Sequence, residues 1–400
     1  MRLPFSGKIT FNRNELAGSF GDIGTDLPLI IGMVLACGLN GATSLMMFGL
    51  MQIMTGLVYG IPMPVQPLKA MAVIMITQSL TGDVLYGAGL AIGIIMLFLT
   101  LTGLLDWLAR VIPKCVVRGI QFGLGVSLTT LALNNYVQAE GLYGYGIAAI
   151  CFALIISLQG NRKFPPALFV ILIGIIYALF FKMDLTKVWG GLGVTLPQLH
   201  IPKLQDILTG LVVLALPQIP LSVSNSIIAT KQTVRDLFPG NPIGTKKIGL
   251  TYSLMNLINP FFGGIPTCHG AGGLAGHYTF GARTGGSVII YGLIYLLTGL
   301  FFGGVFEEVV KVFPFPILGV ILLFEGLALM SFIKDITEVK SDLFVALLVA
   351  VIAVGLPQGY VIGLLVGTAL VYLKIKSETR NPKFETNSNF QNSNISNKDV

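Results

Sequence analysis

Apolar residues form long runs along nearly the whole chain, separated by short polar or Gly- and Pro-rich stretches. A helix needs about 20 residues to cross the hydrocarbon core of a bilayer, and many of the runs have roughly that length. The pattern therefore predicts an all-α polytopic membrane protein with fourteen transmembrane spans, seven on each side of the polar stretch 182–205. The predicted spans are 14–37, 41–60, 62–80, 86–108, 115–133, 142–158, 165–182, 206–230, 243–262, 265–280, 286–306, 315–333, 341–356 and 358–375.

Two of the predicted spans, the third and the tenth, are interrupted by similar segments. These are GIPMPVQP at 60–67 and GIPTCHGAGG at 264–273. Proline lacks an N–H and fixes φ, whereas glycine tolerates almost any φ, so each segment combines residues that stop a helix with residues that let one begin. Paired broken segments in two halves of a membrane protein indicate a transporter's binding site. Half-helices beginning there would direct N–H groups and a positive dipole end at an anion.

An odd number of spans in each half makes the second half cross the membrane in the opposite sense to the first. This predicts a seven-plus-seven inverted repeat, with 14–133 and 206–306 as contributions of the two repeats that do not fold separately. Apart from the broken segments the repeat is faint. LPLI at 27–30 in the first span and LPQIP at 216–220 in the eighth are weak counterparts.

Composition and charge support this class. The chain is 54% hydrophobic and 11% charged, with a mean hydropathy of +0.82, which excludes a soluble globular protein. Lys and Arg concentrate in the loops that a cytoplasmic N-terminus and fourteen spans make cytoplasmic, although dropping two spans together fits nearly as well. Lys182, Lys187, Lys203 and Lys311 fall on the other side. The net charge of +7 thus reflects topology, and no nucleic-acid partner is expected.

The ends and the cysteines add little chemistry. The first ten residues lack the features of a signal peptide, and the Asn- and Ser-rich segment 376–400 is expected to be a disordered cytoplasmic tail. Four widely spaced cysteines indicate neither a zinc site nor a disulfide framework. Neither a P-loop nor a nucleophile-base set is recognisable, so we expect no ATP-driven transport, no enzymatic activity, no cofactor and no metal.

Ionisable residues inside apolar spans are costly and are therefore functional candidates. Asp22 and Asp26 are four residues apart and share a helix face; they are candidates for ion coupling or for capping freed backbone groups. Lys69 lies in the first turn of the predicted half-helix of span 3, where it could balance a bound dianion or pair with either aspartate. Glu325 in span 12 is a third coupling candidate, and pairing with a neighbour is the alternative.

The predicted anion site combines these segments with neutral polar groups of span 8, whose alternative role is hydrogen bonding between helices. His269 could cap the second half-helix, contact the anion or carry a proton, and a satisfied buried histidine is equally open. The glycines of span 10 could instead serve close helix packing. The residues expected to bind the anion are Thr25, Gln66, Pro67, Lys69, Gln218, Ser224, Asn225, His269, Gly270, Ala271, Gly272 and Gly273.

Four runs closely resemble signatures of the molybdate transporter family, distant relatives of the sulfate permeases: FGDIGTDLP (20–28), GIPMPVQPLKA (60–70), QIPLSVSNSIIA (218–229) and PTCHGAGGLAGHYTFGARTG (266–285). The resemblance implies a core domain, mainly 14–108 and 206–306, that carries the site and moves against a gate domain, mainly 115–182 and 315–375. No STAS domain is recognisable, as is common in this family. Span 8 has no acid where many proton-coupled relatives carry a glutamate, and Asp26 occupies a position that is often apolar in eukaryotic members.

Together these features predict a secondary active transporter that imports molybdate, a tetrahedral dianion, across the cytoplasmic membrane by alternating access, with both termini cytoplasmic. A sulfate transporter of the same fold and a passive oxyanion channel are the alternatives, since sulfate has the same charge and shape and a pore can use the same helix dipoles. Besides the anion, the expected partners are membrane lipid and a coupling proton or sodium ion. The sequence leaves open the coupling ion and whether the protein is a homodimer.

Overall fold

The computed structural model of the protein describes residues 9–380 except 106, 108–110, 159–165, 179, 181–190 and 198. Much of the polar stretch 182–205 and the tail beyond residue 380 therefore lie outside the described residues. The last described helix continues to Arg380, past the point where the sequence predicts disorder to begin.

Helices dominate the described residues, with one pair of two-residue strands. The first half contains α1 (Arg13–Ser19), α2 (Ile23–Cys37), α3 (Gly41–Tyr59), β1 (Gln66–Pro67), α4 (Lys69–Gln78), α5 (Gly82–Thr102), α6 (Lys114–Leu131), α7 (Gly141–Leu158) and α8 (Pro166–Tyr177). The second half contains α9 (Leu204–Leu237), α10 (Thr245–Ile258), β2 (Thr267–Cys268), α11 (Ala271–Thr279), α12 (Gly286–Val312), α13 (Phe315–Ser331), α14 (Lys340–Gly355) and α15 (Gly359–Arg380).

Each predicted span coincides with one of these helices or with a helix and its adjoining short element. Within the described residues, seven helices are long and apolar enough to cross a membrane, or eight if α1 and α2, which meet at a bend of 42°, form one span. These numbers establish a polytopic membrane protein, and the count of fourteen crossings stays a prediction.

The helices pack into two groups. In the first group α3 packs along α12, α5 lies between α9 and α10, and α2 contacts α4. In the second group α6 packs against α13 and α14, and α15 packs against α14. The groups meet where α4 contacts α6 and where α2 contacts α13. We call them the first helix group (α2–α5 and α9–α12) and the second helix group (α6–α8 and α13–α15).

Small residues allow the closest helix approach in the first group. An added Cβ on Gly49 of α3 would collide with the backbone carbonyl of Gly292 in α12, and one on Gly292 would lie 2.6 Å from the Gly49 oxygen. Such glycine contacts bring two backbones together where apolar lipid supplies no hydrophobic driving force between helices. They make the α3 and α12 pair a tightly packed support for the interrupted segments.

The two interrupted segments meet as an antiparallel strand pair in the interior. Gln66 pairs with Cys268 and Pro67 pairs with Thr267, and the Leu68 N–H donates to the Pro266 carbonyl oxygen at 3.1 Å. A glycine in the left-handed region begins the first segment, Gly60 with φ 67°, and another directly precedes the second, Gly263 with φ 68°; this conformation favours glycine. The short helices α4 and α11 begin immediately after these strands.

Two side-chain amides satisfy the backbone of the crossing strands. Gln52 of α3 donates to the Val65 carbonyl at 2.8 Å and accepts from the Val65 N–H at 3.2 Å. Asn256 of α10 does the same for Thr267, at 2.6 and 3.0 Å. Non-helical backbone is tolerated at membrane depth only where protein groups or water satisfy it. These two amides therefore hold the extended segments in place.

Candidate functional site

Lys69 begins α4 beside the strand crossing and faces a small polar cavity. The cavity is lined by Gln66, Lys69, Gln121, Gln218, Leu221, Asn225, Ser226, Cys268, Leu329 and Phe332. Among the described residues, no carboxylate oxygen lies within 4.0 Å of the Lys69 ammonium. The ammonium is thus the charged group of a cavity whose other polar groups are amides, a hydroxyl and a thiol. We call this the Lys69 cavity.

The N-terminus of α4 already has an acceptor from the same protein. The Gln218 side-chain oxygen accepts from the Ala70 N–H at 2.9 Å and from the Met71 N–H at 3.3 Å. The Gln218 amide nitrogen donates to the Ser222 hydroxyl at 3.1 Å. Gln218 lines the cavity, but its oxygen caps α4, so the Ala70 and Met71 N–H groups already have a hydrogen-bond partner. Its role as an anion ligand stays a prediction.

The N-terminus of α11 is different: its N-cap residue, Gly270, has no side chain, and no other side chain of the described residues caps its first turn. An added Cβ on Gly272 would meet no atom within 4 Å, so this residue borders open space. Added Cβ atoms on Gly270 and Gly273 would collide with Gln66 and with the Asp22 carboxylate, respectively. The side chains of Gln66 and Asp22 therefore lie against the first turn of α11.

Asp22 and Gln66 are joined by hydrogen bonds. The Gln66 amide nitrogen donates to both carboxylate oxygens of Asp22, at 2.8 and 2.6 Å. On the far side of Asp22 lies a second cavity, which we call the Asp22 cavity, lined by Gly21, Asp22, Gly24, Thr25, Ile155, Pro166, Ile321, Phe324 and Glu325. Thr25 thus shares a cavity with two acids, and it is not among the residues that line the Lys69 cavity.

Comparisons with known proteins identify the family. The family model for "Molybdate transporter of MFS superfamily" matches residues 14–128 and 210–329. Molybdate transporter 2 of Arabidopsis thaliana is 34% identical over 388 residues, covering 85% of this chain and 82% of that protein. The chain belongs to the molybdate transporter family. Molybdate transporter 1 of the same plant is 32% identical over 387 residues, and the match covers 85% of this chain and 84% of that protein.

Solved structures show the fold that this family member adopts. The transmembrane domain of a cyanobacterium bicarbonate transporter, BicA, matches with a TM-score of 0.65 and 16% identity, covering 91% of this chain and 98% of that one. SLC26A9 matches with a TM-score of 0.69 and 12% identity, and the match covers 92% of this chain and 65% of the SLC26A9 chain. At such identities the similarity concerns the fold alone. It confirms the predicted relationship to the sulfate permease-like architecture.

Several predicted ligands of this molybdate transporter family member are engaged elsewhere. One ring nitrogen of His269 lies 2.7 Å from the Thr251 hydroxyl and the other lies 3.0 Å from the Pro64 carbonyl oxygen. The Ser224 hydroxyl donates to the Pro220 carbonyl at 2.8 Å. These bonds assign His269 and Ser224 to holding the backbone, and their role as anion ligands stays a prediction. Asn225 lines the Lys69 cavity, within a π-helical stretch of α9.

Asp26 lies deeper than Asp22 and outside both cavities. It is fully buried, and one carboxylate oxygen accepts from the Tyr291 hydroxyl at 3.3 Å. The Tyr291 hydroxyl oxygen lies 3.0 Å from the Tyr295 hydroxyl oxygen. The other oxygen of Asp26 has no hydrogen-bond partner among the described residues. A charge would be costly in this setting, which makes Asp26 a poor contact for an anion.

Sequence reasoning missed residues that complete or support the site. Gln121 of α6 and Cys268 of β2 line the Lys69 cavity, and Gln52 and Asn256 hold the strands. Glu15, also missed, accepts from the backbone N–H groups of Arg283, Thr284 and Ser287 and so anchors α1 to the start of α12. Gln52, Gln121 and Asn256 are uncharged amides in otherwise apolar spans, and this feature of the sequence could have identified them.

Proposed function

We propose that this protein is a secondary active transporter that imports molybdate across the cytoplasmic membrane, with fourteen spans and both termini cytoplasmic. Family membership and the transporter fold support membrane anion transport as the class of activity. The observation that carries the assignment of the site is Lys69, an ammonium in a polar cavity with no carboxylate partner among the described residues.

The proposed oxyanion site combines three sources of favourable interaction. Lys69 supplies one positive charge, and amides of Gln121 and Asn225 supply neutral donors in the same cavity. The uncapped first turn of α11 supplies backbone N–H groups and the positive end of a helix dipole. Because Gln218 caps α4, we assign Gln218 to shaping the site, and the dipole contribution to α11. One positive charge and several donors complement the negative charge of a tetrahedral dianion.

The position of the cavity supports alternating access, because residues of both helix groups line it. Gln66, Lys69 and Asn225 belong to the first helix group, whereas Gln121 and Leu329 belong to the second. We propose that the first group is the moving core and the second the gate. The inverted repeat is supported by Gln52 and Asn256, which lie in matching helices of the two halves. Gln52 bonds the backbone of Val65, just before β1, and Asn256 bonds the backbone of Thr267 in β2. In this arrangement α4 and α11 are the half-helices of spans 3 and 10.

Competition binding to the purified full chain tests the proposal. Molybdate, tungstate, sulfate and phosphate are titrated against wild type and Lys69→Gln, with Lys311→Gln as a matched control because Lys311 is exposed and pairs with Glu308. Removing one partner of a buried charge pair costs about 2–5 kcal/mol, so we expect Lys69→Gln to weaken binding by at least about 30-fold. Unchanged affinity in folded Lys69→Gln would contradict the site.

The binding titration and a transport assay separate the related alternatives. Tighter binding of sulfate than of molybdate would reassign the substrate and leave the site in place. Uptake of molybdate into proteoliposomes against its gradient, abolished by an uncoupler, is expected for a coupled transporter. Downhill flux that an uncoupler leaves unchanged would favour a channel.

A further inference from the structure

Asp22 occupies the place where the proposed oxyanion would meet α11. Asp22 is 4% exposed, and the Gln66 amide nitrogen donates to both of its oxygens. An ionised carboxylate can accept at both oxygens, so the two bonds from Gln66 suit the charged form of Asp22. In that form Asp22 is an internal anion beside the N-terminus of α11.

The glycines of α11 show how closely this internal anion is held. At Gly273 a side chain would collide with an Asp22 oxygen, and its Cβ would lie 2.8 Å from the Gln66 amide nitrogen. At Gly270 a side chain would collide with Gln66. The lack of side chains at both positions makes room for the Asp22 and Gln66 pair against the first turn. A dianion that approaches the same N–H groups therefore meets a fixed negative charge.

Charges around Asp22 do not remove this conflict. Lys69 acts on Asp22 from α4 and is a single positive charge, while Glu325 acts on it from α13. The remaining titratable groups that act on Asp22 or are acted on by it are Asp26, Cys268, Tyr291 and Tyr295. A dianion, an ionised Asp22 and one ammonium leave a net negative charge in a buried site, which is costly.

We infer that Asp22 is an intramolecular competitor of the oxyanion, and that one proton joins Asp22 when the oxyanion binds. This inference rests on the proposed function. The proton comes from water and forms an O–H bond on one carboxylate oxygen, no bond of the oxyanion breaks, and the site gains one positive charge with the dianion. The neutral acid then offers its O–H as a donor to the anion. Proton and oxyanion are bound together, so transport is proton symport.

In this proposal the proton reaches Asp22 through the Asp22 cavity, separately from the oxyanion in the Lys69 cavity. Asp22, Thr25 and Glu325 line this cavity, whereas Gln66 and Lys69 line the other. The hydrogen bonds from Gln66 to Asp22 join the two cavities. Protonation of one Asp22 oxygen removes an acceptor from Gln66, which frees an amide hydrogen for the oxyanion. Gln66 is thus a positioning residue that senses both ligands.

Proton uptake is measured by titrating the purified full chain with molybdate calorimetrically in buffers that differ in ionisation enthalpy. We expect wild type to take up about one proton for each molybdate bound, and its affinity to fall about tenfold per unit rise of pH on the alkaline side. Asp22→Asn, which keeps the size and an acceptor oxygen, should bind molybdate with no proton uptake and with nearly pH-independent affinity. Asp83→Asn, at a half-exposed acid remote from both cavities, is the matched control and should behave as wild type.

Each of these measurements tests whether Asp22 is the group that takes up the proton. Unchanged proton uptake in Asp22→Asn, or its loss in Asp26→Asn as well, would overturn the assignment to Asp22. If Asp22→Asn does not fold, infrared difference spectra of wild type still test it, because molybdate should produce a protonated-carboxyl band. Molybdate binding by wild type with no proton uptake would overturn only this inference. Absence of oxyanion binding by wild type would overturn the proposed function and this inference together.

Discussion

The starts of α4 and α11 have the same backbone plan and opposite chemistry. Each follows a left-handed glycine and a two-residue strand, and an amide from a neighbouring helix holds the strand. Yet α4 has a side-chain cap and a lysine, whereas α11 has glycines, a carboxylate against its first turn and no side-chain cap from the residues that the structure describes. In the proposed site, the start of α4 supplies a charge on a capped helix. The start of α11 supplies bare backbone whose use, by our inference, depends on Asp22.

The largest effect is expected from adding a side chain to the first turn of α11. Gly273→Val would collide with Asp22 and crowd Gln66, so molybdate binding should be lost and stability should fall by about 1–3 kcal/mol. Binding assays and thermal unfolding of the purified protein measure both changes. The same substitution has no counterpart in α4, because the third residue of that helix is Met71, which already carries a buried side chain.

Gly272 provides the matched control for sterics. Its added Cβ meets no atom within 4 Å, so Gly272→Ala should leave the unfolding temperature unchanged. A bulky residue such as leucine at the same place should block oxyanion binding while the protein remains folded, since it enters the open space beside the N–H groups. Full molybdate affinity in Gly272→Leu would show that the anion does not approach this turn.

An intermediate effect is expected from the two amides that hold the strands. Gln52→Leu and Asn256→Leu each leave one buried N–H and one buried C=O without a side-chain partner, at about 1–3 kcal/mol for each unsatisfied group. Both variants should lower the unfolding temperature by similar amounts, because their bonds are equivalent. A loss confined to one of them would argue that the two crossings are not equivalent. Gln232→Leu, whose amide is exposed and bonded to Asp236, is the control.

The sequence predicted the positions of the helices and of the interrupted segments for a physical reason, whereas the pairing of the two segments as strands was not predicted. Long apolar runs and Gly- and Pro-rich interruptions are local signals, and the helices coincide with the predicted spans. Side-chain partners were harder because they join distant parts of the chain. Lys69 and Asp22 were both recognised, but no ion pair joins them in the described structure; Asp22 is held by Gln66, 44 residues away. Spacing along a helix carries no information about such contacts.

Gln218 illustrates the same limit and supports the smallest predicted effect. Its neutral side chain in an apolar span was expected to bind the anion, whereas its oxygen caps α4. Gln218→Leu should therefore cost about 1 kcal/mol of stability, in the range for a lost cap. Because two N–H groups beside Lys69 become free, molybdate affinity should change less than in Lys69→Gln, and addition of molybdate should restore part of the lost thermal stability. A loss of affinity as large as that of Lys69→Gln, with unchanged stability, would instead make Gln218 a direct ligand and the starts of α4 and α11 chemically alike.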